Sequence, residues 1–183
     1  LNSAGAFDVF VAEYDVDGGP LWASSIGDIC YDYGAGIDHD GSGNIYVTGD
    51  LHEGASNLSA SKIFVAKFAN DGTPLWTRLS ADYGNSHLGD GISVNAAGEC
   101  CITGEFFGSL TLGSLTLDAG TPEATVYVAK YDDQGVPVWA QKAGAGGYAI
   151  GEGVGMDAQG NAYVTGFYRG NIALCDLTLP GPD

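Results

Sequence analysis

Basic residues are scarce in this sequence. Its 183 residues hold six Lys and Arg against 23 Asp and Glu, a formal charge of −17. A chain with so few cations lacks the basic footprint that nucleic acid requires, and anionic membrane surfaces repel it. The acidity reads as a device for solubility, including in a saline or calcium-rich medium. Long apolar runs are missing as well, since none approaches the ~20 residues of a membrane span. There is no G-x-S-x-G, no glycine-rich phosphate loop before a helix, no C-x-x-C, and no H-x-H or H-E-x-x-H spacing. These absences leave enzymatic chemistry unsupported and a zinc site unexpected. No long amphipathic helical pattern occurs. The chain opens on Leu1 without a signal peptide, which reads as a mature or excised segment.

Glycine, by contrast, is plentiful. The 30 glycines follow no three-residue period, so they fit a loop-rich β protein rather than a collagen. Short apolar words recur between them. "GNIYVTG" at 43–49 returns as "GECCITG" at 98–104 and "GNAYVTG" at 160–166. "VFVAEYDVDGGPLW" at 9–22 returns as "IFVAKFANDGTPLW" at 63–76 and "VYVAKYDDQGVPVW" at 126–139. Trp22, Trp76 and Trp139 stand 54 and 63 residues apart, and the glycines opening the first word stand 55 and 62 apart. Two independent words sharing one period are the signature of a repeat architecture. A third word, "GIDHD", "GISVN" or "GVGMD", precedes each copy of the first.

Each word reads as a β-strand, being short, rich in Val, Ile, Tyr, Phe and Thr, and bounded by Gly, Asp, Asn and Pro. In "FVAKF", Phe64, Ala66 and Phe68 face one way and Val65 and Lys67 the other. Both faces are mostly apolar, so these strands are expected to be covered on both sides. The connections "DHDGSGN", "NDGTP" and "DDQGVP" have hairpin chemistry. One unit is therefore four antiparallel strands, A to D, and its repetition predicts an all-β chain of β-propeller blades.

At this level of detail the unit resembles the bacterial SBBP-type β-propeller repeat, and more distantly the NHL repeat. "GIDHDGSGNIYVTGD" followed by "KIFVAKFANDGTPLW" carries the likeness, which runs through nearly the whole chain. Glu99, Cys100 and Cys101 depart from it, standing where Asn-x-Tyr is expected. The resemblance implies an extracellular or cell-surface location and no shared catalytic motif.

In that order the chain forms one repeat domain over 1–183. It reads as a half-blade C-D at 1–35, blades at 36–90 and 91–152, and a half-blade A-B with its connector at 153–183. Three blade equivalents are too few for a ring of four to eight. An unpaired sheet edge is also an aggregation hazard. Partners are thus expected to be copies of the chain itself or further blades of a longer chain, with a homodimer giving six blades about a two-fold axis.

The stretches from D to A and from B to C carry the irregular sequence, and loops on a rigid scaffold tend to hold binding residues. Tyr31, Asp32, Tyr33, Tyr83, His87 and Tyr148 are the ligand candidates there, suited to a glycan or a surface protein. The alternative is that these tyrosines cap the gaps between blades. Alternating Leu and Thr within 105–124 predicts an extra hairpin. No cofactor is expected. Asp15, Asp17, Asp132 and Asp133 are the calcium candidates, yet no turn carries the full donor series, and Asp serves ordinary turns equally well. The three tryptophans are expected to pack between neighbouring blades. Glu13, Lys67 and Lys130 occupy equivalent places and could form interblade ion pairs. Cys100 and Cys101 should point to opposite faces of their strand. Cys30 and Cys175 are candidates for an intersubunit disulfide. His39 is expected to be packed near a central channel, with lyase chemistry as its sharper alternative. The functional expectation is a non-enzymatic, extracellular building block for surface structure, adhesion or assembly. A carbohydrate- or protein-binding module is the alternative, and a propeller lyase stands behind both.

Overall fold

The structure is a computed structural model that describes residues 1–52, 60–81, 84–85, 87–144 and 147–179. Among them the chain is all-β, without helix. The first strands are β1 (Val9–Tyr14), β2 (Pro20–Ile26), β3 (Asp32–His39), β4 (Ile45–His52), β5 (Ala60–Phe68), β6 (Pro74–Leu79) and β7 (Gly84–Asn85). Next come β8 (Leu88–Val94), β9 (Cys100–Phe106), β10 (Ser109–Leu112), β11 (Leu115–Asp118), β12 (Thr125–Tyr131) and β13 (Pro137–Ala143). The chain continues with β14 (Tyr148–Met156), β15 (Ala162–Arg169), β16 (Ile172–Leu174) and β17 (Leu177–Leu179).

Pairing follows the words. β1 pairs with β2 alone, β3-β4-β5-β6 run in order with β7 beside β5, and β14 pairs with β15 alone. The sheet β8-β9-β12-β13 continues through β16 to β17. The hairpin expected within 105–124 is β10-β11. The alternation of "FVAKF" holds: Phe64, Ala66 and Phe68 pack with Val9 and Val11 of β1, while Ile63 and Val65 join a second cluster with Ile102 and Tyr127. Each central strand therefore buries both faces, which explains why its sequence is apolar throughout.

The glycine of the T-G pair has a steric reason. A β-carbon on Gly49 would lie 2.0 Å from the carbonyl oxygen of Tyr33, and one on Gly104 or Gly166 would meet that of Leu88 or Ile150 at the same distance. Opposite each glycine the first strand bulges, with Ala35, Asp90 and Glu152 as the extra residues between register positions. The bulge lets β3, β8 and β14 begin three to five residues ahead of the words "GIDHD", "GISVN" and "GVGMD". Asp32, Tyr33 and Tyr148 thus lie on strands rather than in the expected loops.

Neighbouring sheets touch through their first strands and their tryptophans. Val94 N donates to Asp38 Oδ2 at 2.7 Å, linking β8 to β3, and Met156 N donates to Ser93 Oγ at 3.1 Å, linking β14 to β8. Trp22 donates to Asn70 O and lies against Gly72, in the β5-β6 turn. Trp76 donates to Asp133 O and lies against Gly135, in the β12-β13 turn. Packing between neighbouring sheets is therefore what these two tryptophans do.

Two expectations change, those on the ion pairs and on His39. Lys67 pairs with Asp40 at 3.6 Å and Lys130 with Glu99 at 3.1 Å, in each case within one sheet and not across two. The reason is register: the cation sits one strand away from its own β-turn. Cys100 and Cys101 are both buried, because both faces of β9 are covered. His39 is exposed, with Nδ1 3.1 Å from Asp40 O, so it is not a packed core residue.

Gly104→Ala should lower stability by about 2 kcal/mol or more, since backbone must yield to the new methyl group. Gly155→Ala, with nothing within 4 Å of its β-carbon position, should change stability little. Urea unfolding of the two variants checks this.

Candidate functional site

Two apolar grooves flank the two-stranded sheets. One, of about 420 Å³, runs between β1 and β3 and is lined by Val9, Phe10, Val11, Gly34, Ile37 and Val47 among others. The other, of about 250 Å³, runs between β15 and the β13-β16 edge and includes Val126, Ile150, Val164, Phe167, Ile172 and Leu179. In the equivalent strands that edge is occupied: β4 pairs along β5, the counterpart of β1, and β12 along β9, the counterpart of β15.

Repeat equivalence makes the contrast quantitative. Phe64 faces Gly49 and Tyr127 faces Gly104 across the central strand pair, and both aromatic residues are 0% exposed. Phe10 holds the same repeat position and is 72% exposed. Tyr46 is 0% exposed, while its counterpart Tyr163 is 63% exposed. Thr48 Oγ1 donates to Phe64 O at 2.8 Å and Thr103 Oγ1 to Tyr127 O at 2.7 Å. Thr165 is their equivalent on β15, and β14 is the strand with which β15 pairs. Trp139 is the third tryptophan, and Gly18, the counterpart of Gly72 and Gly135, has nothing within 4 Å of its β-carbon position.

A third feature is polar. Asp90 on β8, Glu105 on β9 and Glu152 on β14 line an open depression of about 500 Å³ with Ala35, Leu88, Ile150 and Phe167. Glu105 Oε2 and Asp90 Oδ2 are buried and make no hydrogen bond. Burial pushes the Asp90 carboxyl up to about 6, helped by the charge of Glu152. Burial likewise pushes Glu105 up to about 7, with Asp90 adding to it. Asp50, on β4, rises to about 7 through burial and the charges of Asp90 and Asp32, and His52 Nδ1 lies 3.2 Å from its Oδ2.

The sequence-derived ligand candidates do not form one site. Asp32 is buried and turned inward, accepting from Asp28 N and His52 N. Tyr31 and Tyr33 gather around Phe7, with ring centroids 5.4 and 6.3 Å away, and Tyr33 meets His52 edge-on. His87 is fully buried, its Nε2 3.1 Å from Ser109 O and its Nδ1 facing Phe107 N, where it anchors the β10 strand. Tyr148 lies apart, half-buried against Phe167. Tyr83 lies outside the described residues.

Of the calcium candidates, Asp15 Oδ1 accepts from Asp17 N and Gly19 N, and Asp132 Oδ1 from Gln134 N and Val136 N. Those oxygens hold the turns together. Asp133 accepts from Gln134, and among the described residues no three His, Cys, Asp or Glu side chains are placed to hold a metal ion. Cys100, Cys101 and Cys175 carry free thiols. Cys30 is buried and Cys175 exposed. Burial pushes the Cys100 and Cys101 thiols above their ordinary value, so they sit as small apolar side chains.

The carboxylates of the depression escaped the sequence reading. Asp90 and Glu152 sit inside Gly-x-Gly, which reads as a loop, and only the bulge brings them together. Their one visible signal was that an acid follows T-G in two of three copies, as Asp50 and Glu105.

No known family profile matches the chain. It is 24% identical over 217 residues to an uncharacterized WD repeat-containing protein of Acanthamoeba polyphaga mimivirus. That match covers all of this chain but spans only 15% of the relative's length. An all-β chain similar to a WD-repeat protein is what sequence and structure jointly define.

Carboxyls raised by folding stabilise the fold fully below about pH 4, and that contribution is lost as pH rises through about 7. Glu99, held below its ordinary value by Lys130, acts oppositely, and its contribution is lost as pH falls through its lowered value. Glu105→Gln should therefore raise stability at pH 8 by about 1–3 kcal/mol, the cost of a buried unpaired charge. It should change stability little at pH 5. Urea midpoints at the two pH values test the sign, and a loss at pH 8 would refute it.

Proposed function

We propose that the chain is a non-enzymatic building block of β-propeller type, and that its two open edges are completed by a second copy. The exposure of Phe10 against the burial of Phe64 and Tyr127 carries the reading. β14-β15 of one copy would enter the groove between β1 and β3 of the other, as strands A and B of a four-stranded sheet. Repeat equivalence sets the register: Phe10 opposite Gly166, Val9 opposite Phe167, Val11 opposite Thr165. The Phe10 ring then covers a glycine, as Phe64 and Tyr127 do. Trp139 would reach the Gly18 turn, with Val16 O as acceptor for its ring N–H.

Six four-stranded sheets result, within the usual size of a closed ring. The contact is the same on both copies, so a two-fold axis closes it. Side-by-side first strands and the likeness to a WD-repeat protein support a propeller, since WD repeats build propeller blades. An extracellular or cell-surface role in structure or adhesion rests on the SBBP resemblance alone.

One observation favours a second reading. Lys67 and Lys130 pair with acids of the preceding turn, but the equivalent residue is Glu13, which would face Asp157. Like charges there disfavour self-completion and favour a further repeat of a longer chain carrying Lys.

Solution mass by light scattering separates the two. Twice the chain mass is expected for self-completion. Phe10→Ser should weaken association by about tenfold or more, given the ~1.5–3 kcal/mol of burying a Phe. Glu13→Lys should strengthen it. A monomer that stays a monomer in the Glu13→Lys variant would defeat self-completion.

A further inference from the structure

We propose that the acidic depression between β8, β9, β14 and β15 binds a primary alkylammonium ion, with Asp90 and Glu105 receiving the charged head, Leu88, Ile150 and Phe167 the stem, and Glu152 adding its negative charge nearby. The argument starts from Glu105. Its side chain lines the depression, its residue is 6% exposed, and its Oε2 has no hydrogen-bond partner. Asp90 Oδ2 is in the same condition. No Lys or Arg lines this depression, so the carboxylates have no cation of their own there. Buried acceptors without donors are the exception in folded proteins, and a donor arriving from solvent satisfies them.

Shape and lining select the class of cation. The space, about 500 Å³, is far larger than a bare ion. No three of the carboxylates are placed to hold a metal ion between them. The two buried acceptors without partners, Glu105 Oε2 and Asp90 Oδ2, belong to separate carboxylates and suit the several donors of one ammonium group, whereas a guanidinium fork seeks both oxygens of one carboxylate. The remaining wall is aliphatic and aromatic, suited to methylene groups, and the Phe167 ring can also face the charge. The net charge of −17 concentrates cations around the chain before they dock.

Proton competition follows from the surroundings. Asp90 and Glu105 must be ionised to bind. Further titratable groups that act on them are Asp32 and Asp50 from β3 and β4, with His52 beside Asp50, Tyr127 from β12 and Tyr148 from β14. The acids repel one another, so acidification protonates them and expels the ligand.

Calorimetric titration of the full chain with n-pentylammonium chloride tests the proposal, with n-pentanol as the neutral control. Saturable binding at pH 8 is expected, weakened about tenfold or more at pH 5 and lost in the Asp90→Asn/Glu105→Gln double variant. Nα-acetyl-lysinamide binding as tightly as pentylammonium would identify the source as a lysine side chain, and pentylammonium alone a free amine. Equal binding to the double variant would reduce the effect to general attraction by an acidic surface and overturn the site. So would pentanol binding as well as the amine, or CaCl₂ displacing the amine at equal concentration.

Discussion

An aromatic ring lying over a bare glycine is the contact on which the sheets depend. Phe64 lies over Gly49 and Tyr127 over Gly104, each against the strand that pairs with the bulged first strand. The same glycine cannot carry a side chain because a neighbouring carbonyl stands 2.0 Å from where its β-carbon would be. Close approach of backbone on one side and a ring on the other thus fix the second strand in register. The adjacent threonine adds a hydrogen bond to the carbonyl of the ring-bearing residue. At Phe10, the same position of the repeat, no such glycine lies opposite among the described residues and the ring is exposed.

Much of the fold was legible because each strand is a self-contained word. Period-two alternation in "FVAKF" told which side chains share a face, and repetition told which words belong together. The hairpin within 105–124 was legible for the same reason, its Leu and Thr alternating. The first strands were misjudged at their starts because Gly-x-Gly carries loop chemistry, and only a bulge explains how pairing continues through it. Asp32 and His87 were misjudged because a polar residue near a loop does not announce where its side chain turns. Both are buried and hold backbone groups.

The acidic depression illustrates a different limit. Asp90, Glu105 and Glu152 are separated by 15 and 47 residues, and nothing in their local sequence links them. They converge because two sheets set their bulges side by side. Repetition also hid them, since Ala35 and Phe167 occupy two of the equivalent places and blur the pattern. A repeat architecture shows its common positions readily and conceals the sites where individual copies differ.

The β16-β17 hairpin pairs with β13 through Ala143 and Leu174, and Ala81 N donates to Thr111 O in the β10-β11 hairpin. In both places a connector reaches back and grips the sheet before it. Each of these latches joins a sheet to its immediate neighbour, so cooperativity passes down the chain link by link. A chain of such links frays from its open ends, and nearest-neighbour coupling of this kind lets a repeat be added or deleted without retuning the remainder.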